Sequence, residues 1–222
     1  MKKLIILSLV IISLFACKNN KQEQEIKTTS AIDTVDYSAY GMDPEYLPKG
    51  LAIGSDAPQI VFTTAENEKV KLEDLYKNQP LVIIFYRGFW CPVCNKHLSE
   101  FATRAKEIEA KGAKLIAISS ESYENIVQTR DKTNAEFTII SDVDGSIMKA
   151  FDVSYKVTSA YQAIIAEKLN ASISETNATK EAVLPVPATY IIDTNGKIVY
   201  KQFDPNYKVR ASIEDILNNL PK

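Results

Sequence analysis

Residues 85–94 read Phe-Tyr-Arg-Gly-Phe-Trp-Cys-Pro-Val-Cys, and two different sequence patterns meet within this stretch. It begins at the end of a nearly continuous apolar run over residues 81–86, which is typical of a strand buried on both faces of a sheet. After Pro92, apolar residues recur at three- and four-residue spacing as far as Gly112, a suitable C′ glycine, so the spacing predicts a long helix. A Cys-x-x-Cys pair at the junction of such a strand and helix favours a redox site in an α/β domain.

The order of residues at the predicted helix start distinguishes the two cysteines. With Cys91 as the N-cap, Pro92 takes the first helical position, where its missing N–H is no loss, and Cys94 takes the third. An exposed thiolate at the N-cap accepts hydrogen bonds from free helix N–H groups and lies at the positive end of the helix dipole, which lowers the thiol pKa. We therefore predict that Cys91 attacks and that Cys94, one turn later, closes a disulfide with it.

The same cysteines have two other interpretations, inert packing and a metal site. Zinc needs four ligands, and the only histidine of the chain is His97. Haem attachment requires a histidine directly after the second cysteine, where this chain has Asn95. We therefore predict that no metal or organic cofactor is needed. A binding protein that delivers copper or zinc through Cys91, Cys94 and His97 is kept as an alternative from another functional class.

The composition of the 222 residues is that of one ordinary globular domain with appendages. Hydrophobic residues make up 45% and charged residues 24%, which excludes disorder and a collagen-like chain. Lysine and arginine number 26 against 28 acids, a net charge of −2, and no block of like charge suggests a nucleic-acid partner. Three cysteines are too few for a disulfide scaffold, so each needs its own explanation.

The first seventeen residues are typical of a signal segment rather than of the fold. Two lysines precede an apolar run over residues 4–15 that is too short to span a bilayer comfortably. Leu-Phe-Ala-Cys at residues 14–17 resembles the bacterial lipobox, whose cysteine is acylated and becomes the mature N-terminus. We therefore predict that Cys17 carries lipid; a plain cleaved signal with an incidental cysteine is the alternative.

This interpretation divides the chain into three parts. Residues 1–17 are the lipoprotein signal, residues 18–46 a polar tether with little to bury, and residues 47–222 the folded domain. The expected location is the cell envelope, where the protein is anchored to a membrane and faces the periplasm or the exterior.

The domain alternates short β-rich runs with amphipathic stretches. Beyond the elements already named, strands are predicted over residues 59–63, 114–119, 137–141, 190–193 and 197–203, and helices over residues 121–132, 146–151 and 212–220. Asn195 and Gly196 predict a hairpin turn. Residues 154–184 break the alternation and are predicted to be an insertion with a helix over residues 160–169. This order indicates an α/β fold with a central mixed sheet flanked by helices.

Four stretches, in order, resemble the peroxiredoxin-like branch of the AhpC/TSA family (alkyl hydroperoxide reductase and thiol-specific antioxidant), within the thioredoxin-fold superfamily. They are residues 85–94, 137–145, 185–193 and 203–207. The resemblance implies a thioredoxin-like fold with a helical insertion before a strand that begins at a cis proline, Pro187. It also implies an antioxidant oxidoreductase that acts on protein disulfides or hydroperoxides, with a thioredoxin-like or membrane electron donor.

Departures from the family pattern shape the expected activity. The peroxiredoxin pattern Pro-x-x-x-Thr-x-x-Cys, laid on the chain without gaps, puts Cys94 at the peroxide-attacking position, Cys91 in place of the threonine and Arg87 in place of the proline. The second arginine of that family falls on Pro187, which instead matches the cis proline of thioredoxins. The resemblance thus implies thiol–disulfide exchange, with a peroxidase using Cys94 as the alternative. Hydroperoxides should react more slowly than disulfides unless Arg87 or Arg210 supplies the missing positive charge.

The remaining candidates are assigned to positioning or to simple structural roles. Trp90 and Arg87 are expected to position the substrate in a groove beside Pro187, although packing also explains Trp90. The buried acid of thioredoxins falls on Phe85, so proton handling must differ. Simpler structural roles are surface ion pairs for Arg87 and Arg210, a partly exposed structural position for His97, and sheet or rim positions for Tyr200 and Tyr207.

Overall fold

A computed structural model describes residues 36–45, 47–65 and 68–221 of the chain. The predicted signal segment, the lipidation site Cys17 and most of the predicted tether lie outside the described residues. Within the described part of the chain, no helix combines the length and the apolar character that a membrane crossing requires.

A five-stranded sheet in the order β5-β4-β3-β8-β9 forms the centre of the fold. The strands are β1 (Val61–Thr63), β2 (Lys69–Lys71), β3 (Leu81–Phe85), β4 (Lys114–Ser119), β5 (Thr138–Ser141), β6 (Ser154–Lys156), β7 (Val183–Pro185), β8 (Ala188–Ile192) and β9 (Ile198–Phe203). Strands β3, β4 and β5 run parallel, whereas β8 is antiparallel to β3 and β9 is antiparallel to β8. The predicted mixed sheet is therefore confirmed.

Helices cover both faces of this sheet. They are α1 (Leu72–Tyr76), α2 (Pro92–Ala110), α3 (Tyr123–Thr133), α4 (Ser146–Ala150), α5 (Ser159–Leu169), α6 (Ile173–Thr176) and α7 (Ile213–Asn219), with a 3₁₀ helix at Tyr37–Tyr40. All residues of β3 are buried, and successive side chains belong to two different apolar clusters. One cluster includes residues of α2, α3, α5 and α7, and the other includes residues of α1 and α4, so β3 lies between two helical layers.

The parallel arrangement of β3 and β4 locates the functional edge of the sheet. Because both strands end at the same edge, the segment after Phe85 and the segment after Ser119 emerge side by side. The first leads into α2 through the Cys-x-x-Cys motif. The second carries Ser120 and Glu121, which are both buried.

The insertion contains more structure than the predicted helix. The helix is present as α5, and β6 and β7 pair antiparallel at the two ends of the segment, with α6 between them. Backbone hydrogen bonds from Ser122 to the Thr176 carbonyl and from Ala178 to the Ser120 carbonyl dock α6 on the segment after β4. The insertion is therefore part of the wall at the functional edge.

The folded body extends further towards the N-terminus than the predicted boundary at residue 47. Met42 is only 1% exposed, and its backbone forms a β-bridge with Val157 of the insertion. Tyr155 donates a hydrogen bond of 3.4 Å from its hydroxyl to the Tyr40 carbonyl. Tyr37 and Tyr40 also pack against the apolar cluster that contains Met42. The local sequence pattern did not show this, because partners of the segment lie more than a hundred residues away in the chain.

The predicted cis bond before Pro187 is also wrong: the described residues contain no cis peptide bond. Val186 donates its backbone N–H to the Val153 carbonyl at 2.7 Å, and Val186 and Pro187 alone connect β7 to β8. Trans is the more stable isomer of an X–Pro bond.

Candidate active site

The start of α2 has the predicted local geometry. Cys91 is the N-cap with extended backbone angles, φ −90° and ψ 106°, and its Sγ accepts a hydrogen bond of 3.3 Å from the Cys94 N–H. Pro92 occupies the first turn, where no helix hydrogen bond is lost. Cys91 and Cys94 form a disulfide, with their Cα atoms 5.2 Å apart.

Burial of the pair differs from the expectation of an exposed N-cap. Cys91 and Cys94 are both 0% exposed, Trp90 is 5% exposed and Pro187 is buried. Trp90 and Pro187 therefore do not line an open groove, and a substrate can reach the sulfur atoms only after local opening. The helix-end rules fix the position of a residue along the helix, but they do not show how much of the protein packs over that end.

Arg87 is a buried residue of this site and not a surface ion-pair residue. Its side chain is 2% exposed, Nη2 donates to Cys91 Sγ at 3.2 Å and Nη1 donates to the Tyr161 hydroxyl at 2.9 Å. The guanidinium lies 3.7 Å from the ring centroid of Tyr207 and 5.3 Å from that of Trp90. Aromatic faces and one hydroxyl therefore hold a cation against the first sulfur atom.

Arg210 occupies the corresponding position at the second sulfur atom. Its Nη2 donates to Cys94 Sγ at 3.4 Å, and its Nε donates to the Tyr207 carbonyl at 2.6 Å. Burial, and then the neighbouring charge of Arg87, lower the pKa of Arg210 to about 9, so the side chain remains a cation at neutral pH. Of the described residues, no carboxylate forms an ion pair with Arg87 or Arg210.

His97 is more buried than predicted and contacts the backbone. It is 5% exposed, and its Nε2 lies 2.9 Å from the Ala211 carbonyl, so Nε2 carries the proton of the neutral ring. Burial, and then the positive charge of Arg210, lower the pKa of His97 to about 4. In the described ranges, no cluster of three or more histidine, cysteine or acidic side chains is placed to hold a metal.

Glu121 supports the other side of the active-site loop, and the sequence analysis missed it. Its Oε1 accepts the backbone N–H of Phe89 at 2.9 Å, and its Oε2 accepts the Thr129 hydroxyl at 3.2 Å. A Cβ added to Gly88 would lie 2.6 Å from Trp90 Nε1 and 2.7 Å from Glu121 Oε1, so only glycine fits between them.

The protonation of Glu121 is set by its surroundings. Burial raises the pKa of this carboxyl to about 8, against the opposing effect of the Phe89 N–H. A buried acid therefore lies beside the Cys-x-x-Cys loop although Phe85 occupies the position of the thioredoxin acid. A signal for it was present in the sequence, since Glu121 closely follows a buried parallel strand next to β3.

The site contains residues that the sequence predicts to lie close together, and it also contains residues that the sequence does not predict there. Cys91, Cys94, Arg87 and Trp90 lie at one junction as predicted, and Pro187 directly follows Val186, which belongs to the same apolar cluster as the cysteines. Tyr207, predicted at a rim, is partly exposed and also stacks on Arg87. Chemically, the two sulfur atoms can be joined in a disulfide or reduced to two thiolates. Each lies next to a cation that would stabilise its thiolate.

Comparisons with known proteins identify the family. Residues 53–201 match the AhpC/TSA family. The thiol-disulfide oxidoreductase ResA of Bacillus subtilis is 24% identical over 152 residues, 68% of this chain and 67% of that protein. Peroxiredoxin Q of rice chloroplasts (Oryza sativa subsp. japonica) is 25% identical over 170 residues, 75% of this chain and 67% of that protein.

Solved structures agree on the fold. Reduced Prx3 of Vibrio vulnificus in complex with H2O2 superposes with a TM-score of 0.60 at 17% identity, over 76% of this chain and 97% of that one. The thioredoxin-like fold of peroxiredoxins is therefore confirmed for this chain. The chain belongs to the AhpC/TSA family and is an oxidoreductase.

Proposed function

We propose that the protein is a thiol–disulfide oxidoreductase in which Cys91 and Cys94 cycle between dithiol and disulfide. The observation that carries this proposal is the disulfide at the start of α2 with a guanidinium on each sulfur atom. Thiol–disulfide exchange takes place between sulfur atoms and requires no metal or organic cofactor. The similar protein ResA is named a thiol-disulfide oxidoreductase, and this name supports the same reaction class for this chain.

In the proposed cycle, the Cys91 thiolate attacks one sulfur of a substrate disulfide and forms a mixed disulfide, and the second substrate sulfur leaves as a thiolate. Cys94 then attacks Cys91 Sγ, which forms the internal disulfide and releases the reduced substrate. Cys91 is assigned the first attack because it has two donors, Arg87 Nη2 and the Cys94 N–H, whereas Cys94 has Arg210 Nη2. More donors favour the thiolate at Cys91. The reverse sequence of the same steps oxidises a dithiol.

Trapping tests this assignment. A Cys94→Ser variant, incubated with a disulfide-bonded protein, should accumulate a mixed disulfide through Cys91, because the resolving sulfur is missing. Mass spectrometry would locate the adduct, with Cys91→Ser as the matched variant. Adducts found only on Cys94 of the Cys91→Ser variant would reverse the assigned order.

Reduction of hydroperoxides is the second candidate, and Arg210 favours it specifically. The family pattern places Cys94 at the peroxide-attacking position, and Arg210 Nη2 lies 3.4 Å from Cys94 Sγ. The positive charge that the replaced family arginine would have supplied is therefore present from another direction. In this reaction, Cys94 would become a sulfenic acid, and Cys91 would displace water to form the disulfide.

We also propose that the protein works in the cell envelope, held to a membrane by lipid on Cys17 and facing the periplasm or the exterior. The support is the lipobox-like sequence at residues 14–17. Acyl chains on one cysteine would give stable anchoring. Wild-type protein should fractionate with membranes and Cys17→Ser should be released. Soluble wild-type protein whose N-terminus is not residue 17 would overturn the proposal.

A further inference from the structure

The two active-site arginines differ from ordinary buried arginines in what surrounds them. Arg87 is 2% exposed, and its Nε is buried without a hydrogen-bond partner. Within the described part of the chain, the polar contacts of Arg210 are the Tyr207 carbonyl and Cys94 Sγ. Among the described residues, neither has a carboxylate partner. In the oxidised protein, one buried and one partly exposed cation therefore face a disulfide that carries no charge.

Reduction changes this balance of charge. When the disulfide opens, each sulfur atom can carry a negative charge at a position where a guanidinium N–H already points. Charge-assisted hydrogen bonds from arginine are about twice as strong as neutral ones, and a buried charge without a partner is costly. The arginines therefore stabilise the reduced form much more than the oxidised form.

From this asymmetry we propose that Cys91–Cys94 is an oxidising disulfide, which accepts electrons from a protein dithiol. The inference rests on the proposed function and adds the direction of electron flow. A disulfide whose reduced form is stabilised has a raised reduction potential.

The atoms and electrons of the step balance as follows. One substrate thiolate attacks Cys91 Sγ, the internal S–S bond breaks, and Cys94 leaves as a thiolate next to Arg210. The second substrate thiolate then attacks its neighbour in the mixed disulfide, and Cys91 leaves as a thiolate next to Arg87. The substrate loses two electrons and two protons and gains an S–S bond. The protein pair gains the two electrons as two thiolates, and both protons pass to solvent. Each departing thiolate thus has its own cation.

Equilibration with glutathione tests the proposal. Purified protein is incubated in mixtures of reduced and oxidised glutathione, and the oxidised fraction is read from Trp90 fluorescence, the chain having a single tryptophan, and from alkylation of free thiols. Arg87→Gln and Arg210→Gln should each shift the equilibrium towards the disulfide by about tenfold, which is about 30 mV. Arg87→Lys keeps the positive charge and should therefore shift the equilibrium less than Arg87→Gln does. The thiolate absorbance of reduced Arg87→Gln should appear at higher pH than in wild type.

Arg104→Gln is the matched control, because Arg104 is a partly exposed arginine of α2, the helix that begins at the cysteine pair, and it is paired with Glu107 and Glu214. Equilibria of the Arg87 and Arg210 variants that stay within twofold of the control would overturn the inference. If Arg87→Gln fails to fold, the partly exposed Arg210 still provides the test. A wild-type pair that exchanges with glutathione in neither direction would instead refute the proposed function.

Discussion

Residues 85–94 and the insertion at residues 154–184 meet at Arg87, and they build the site in different ways. The first region sets its geometry locally, since the N-cap, the first-turn proline and the disulfide lie within four residues of one another. The insertion acts through Tyr161, which is 74 positions from its partner Arg87. A short motif can therefore encode a redox pair, while the charge that tunes the pair depends on distant packing.

Removing the local pair should have the largest effect. Cys91→Ser and Cys94→Ser should each lower turnover with a disulfide substrate by at least about 10³-fold, because one sulfur cannot complete the cycle. Steady-state reduction of a disulfide-bonded test protein, driven by an excess of reduced glutathione, measures this. Cys17→Ser is the matched cysteine control and should retain full turnover. A Cys94→Ser variant that turns over normally would show that the pair is structural.

The second-largest expected effect is on the pH dependence of stability, through protonation of Glu121. Its folded-state pKa of about 8 lies above the reference value of 4.5, so between these values the folded protein holds a proton that the unfolded chain has released. Stability should therefore fall as pH rises through this window, by a few kcal/mol in wild type, and Glu121→Gln should remove that loss. Denaturant unfolding at pH 5 and at pH 8 tests the difference.

The buried Asp142, whose pKa burial raises to about 6, adds a loss of the same sign. It is present in both proteins and cancels when Glu121→Gln is compared with wild type. An equal dependence on pH in the two proteins would mean that Glu121 is ionised in the folded state.

Crowding at Gly88 gives a smaller effect. In Gly88→Ala, the new methyl group would meet Trp90 Nε1 and Glu121 Oε1 at less than 3 Å, so the loop must shift at a cost of about 1–3 kcal/mol. Gly112→Ala is the control: its φ of +79° is also positive, but no atom lies within 4 Å of the added Cβ. Unfolding midpoints should fall more for Gly88→Ala. Equal losses would assign the effect to backbone angle alone.

The link to the insertion should have the smallest effect. Tyr161→Phe removes the hydroxyl that accepts from Arg87 Nη1 and leaves that donor unpaired, which should cost about 1 kcal/mol of stability. It should also shift the glutathione equilibrium by less than Arg87→Gln does. Tyr200→Phe, on β9, serves as the control. A Tyr161→Phe protein that matches the control in both measurements would show that the insertion does not tune the cysteine pair.

Sequence reasoning predicted the features of the site that depend on neighbours in the chain. The N-cap at Cys91, the proline in the first turn and the helical spacing of α2 depend on residues a few positions apart, and all are present. The burial of Cys91, the inward direction of Arg87 and the position of Met42 depend on segments far along the chain. No local pattern contains that information. Glu121 lies between these two cases. The sequence predicts its position after a parallel strand, but it does not predict the burial of its side chain.

Stopped-flow fluorescence of Trp90 can follow exchange at sulfur through the Cys91–Cys94 pair. Reduced protein is mixed in separate runs with a large excess of glutathione disulfide, hydrogen peroxide or an organic hydroperoxide. Excess drives oxidation to completion whatever the equilibrium. We expect the larger second-order rate constant with the disulfide, and its loss in Cys91→Ser. Peroxide rate constants far above that for the disulfide, retained in Cys91→Ser, would show instead that the protein is a peroxidase acting through Cys94.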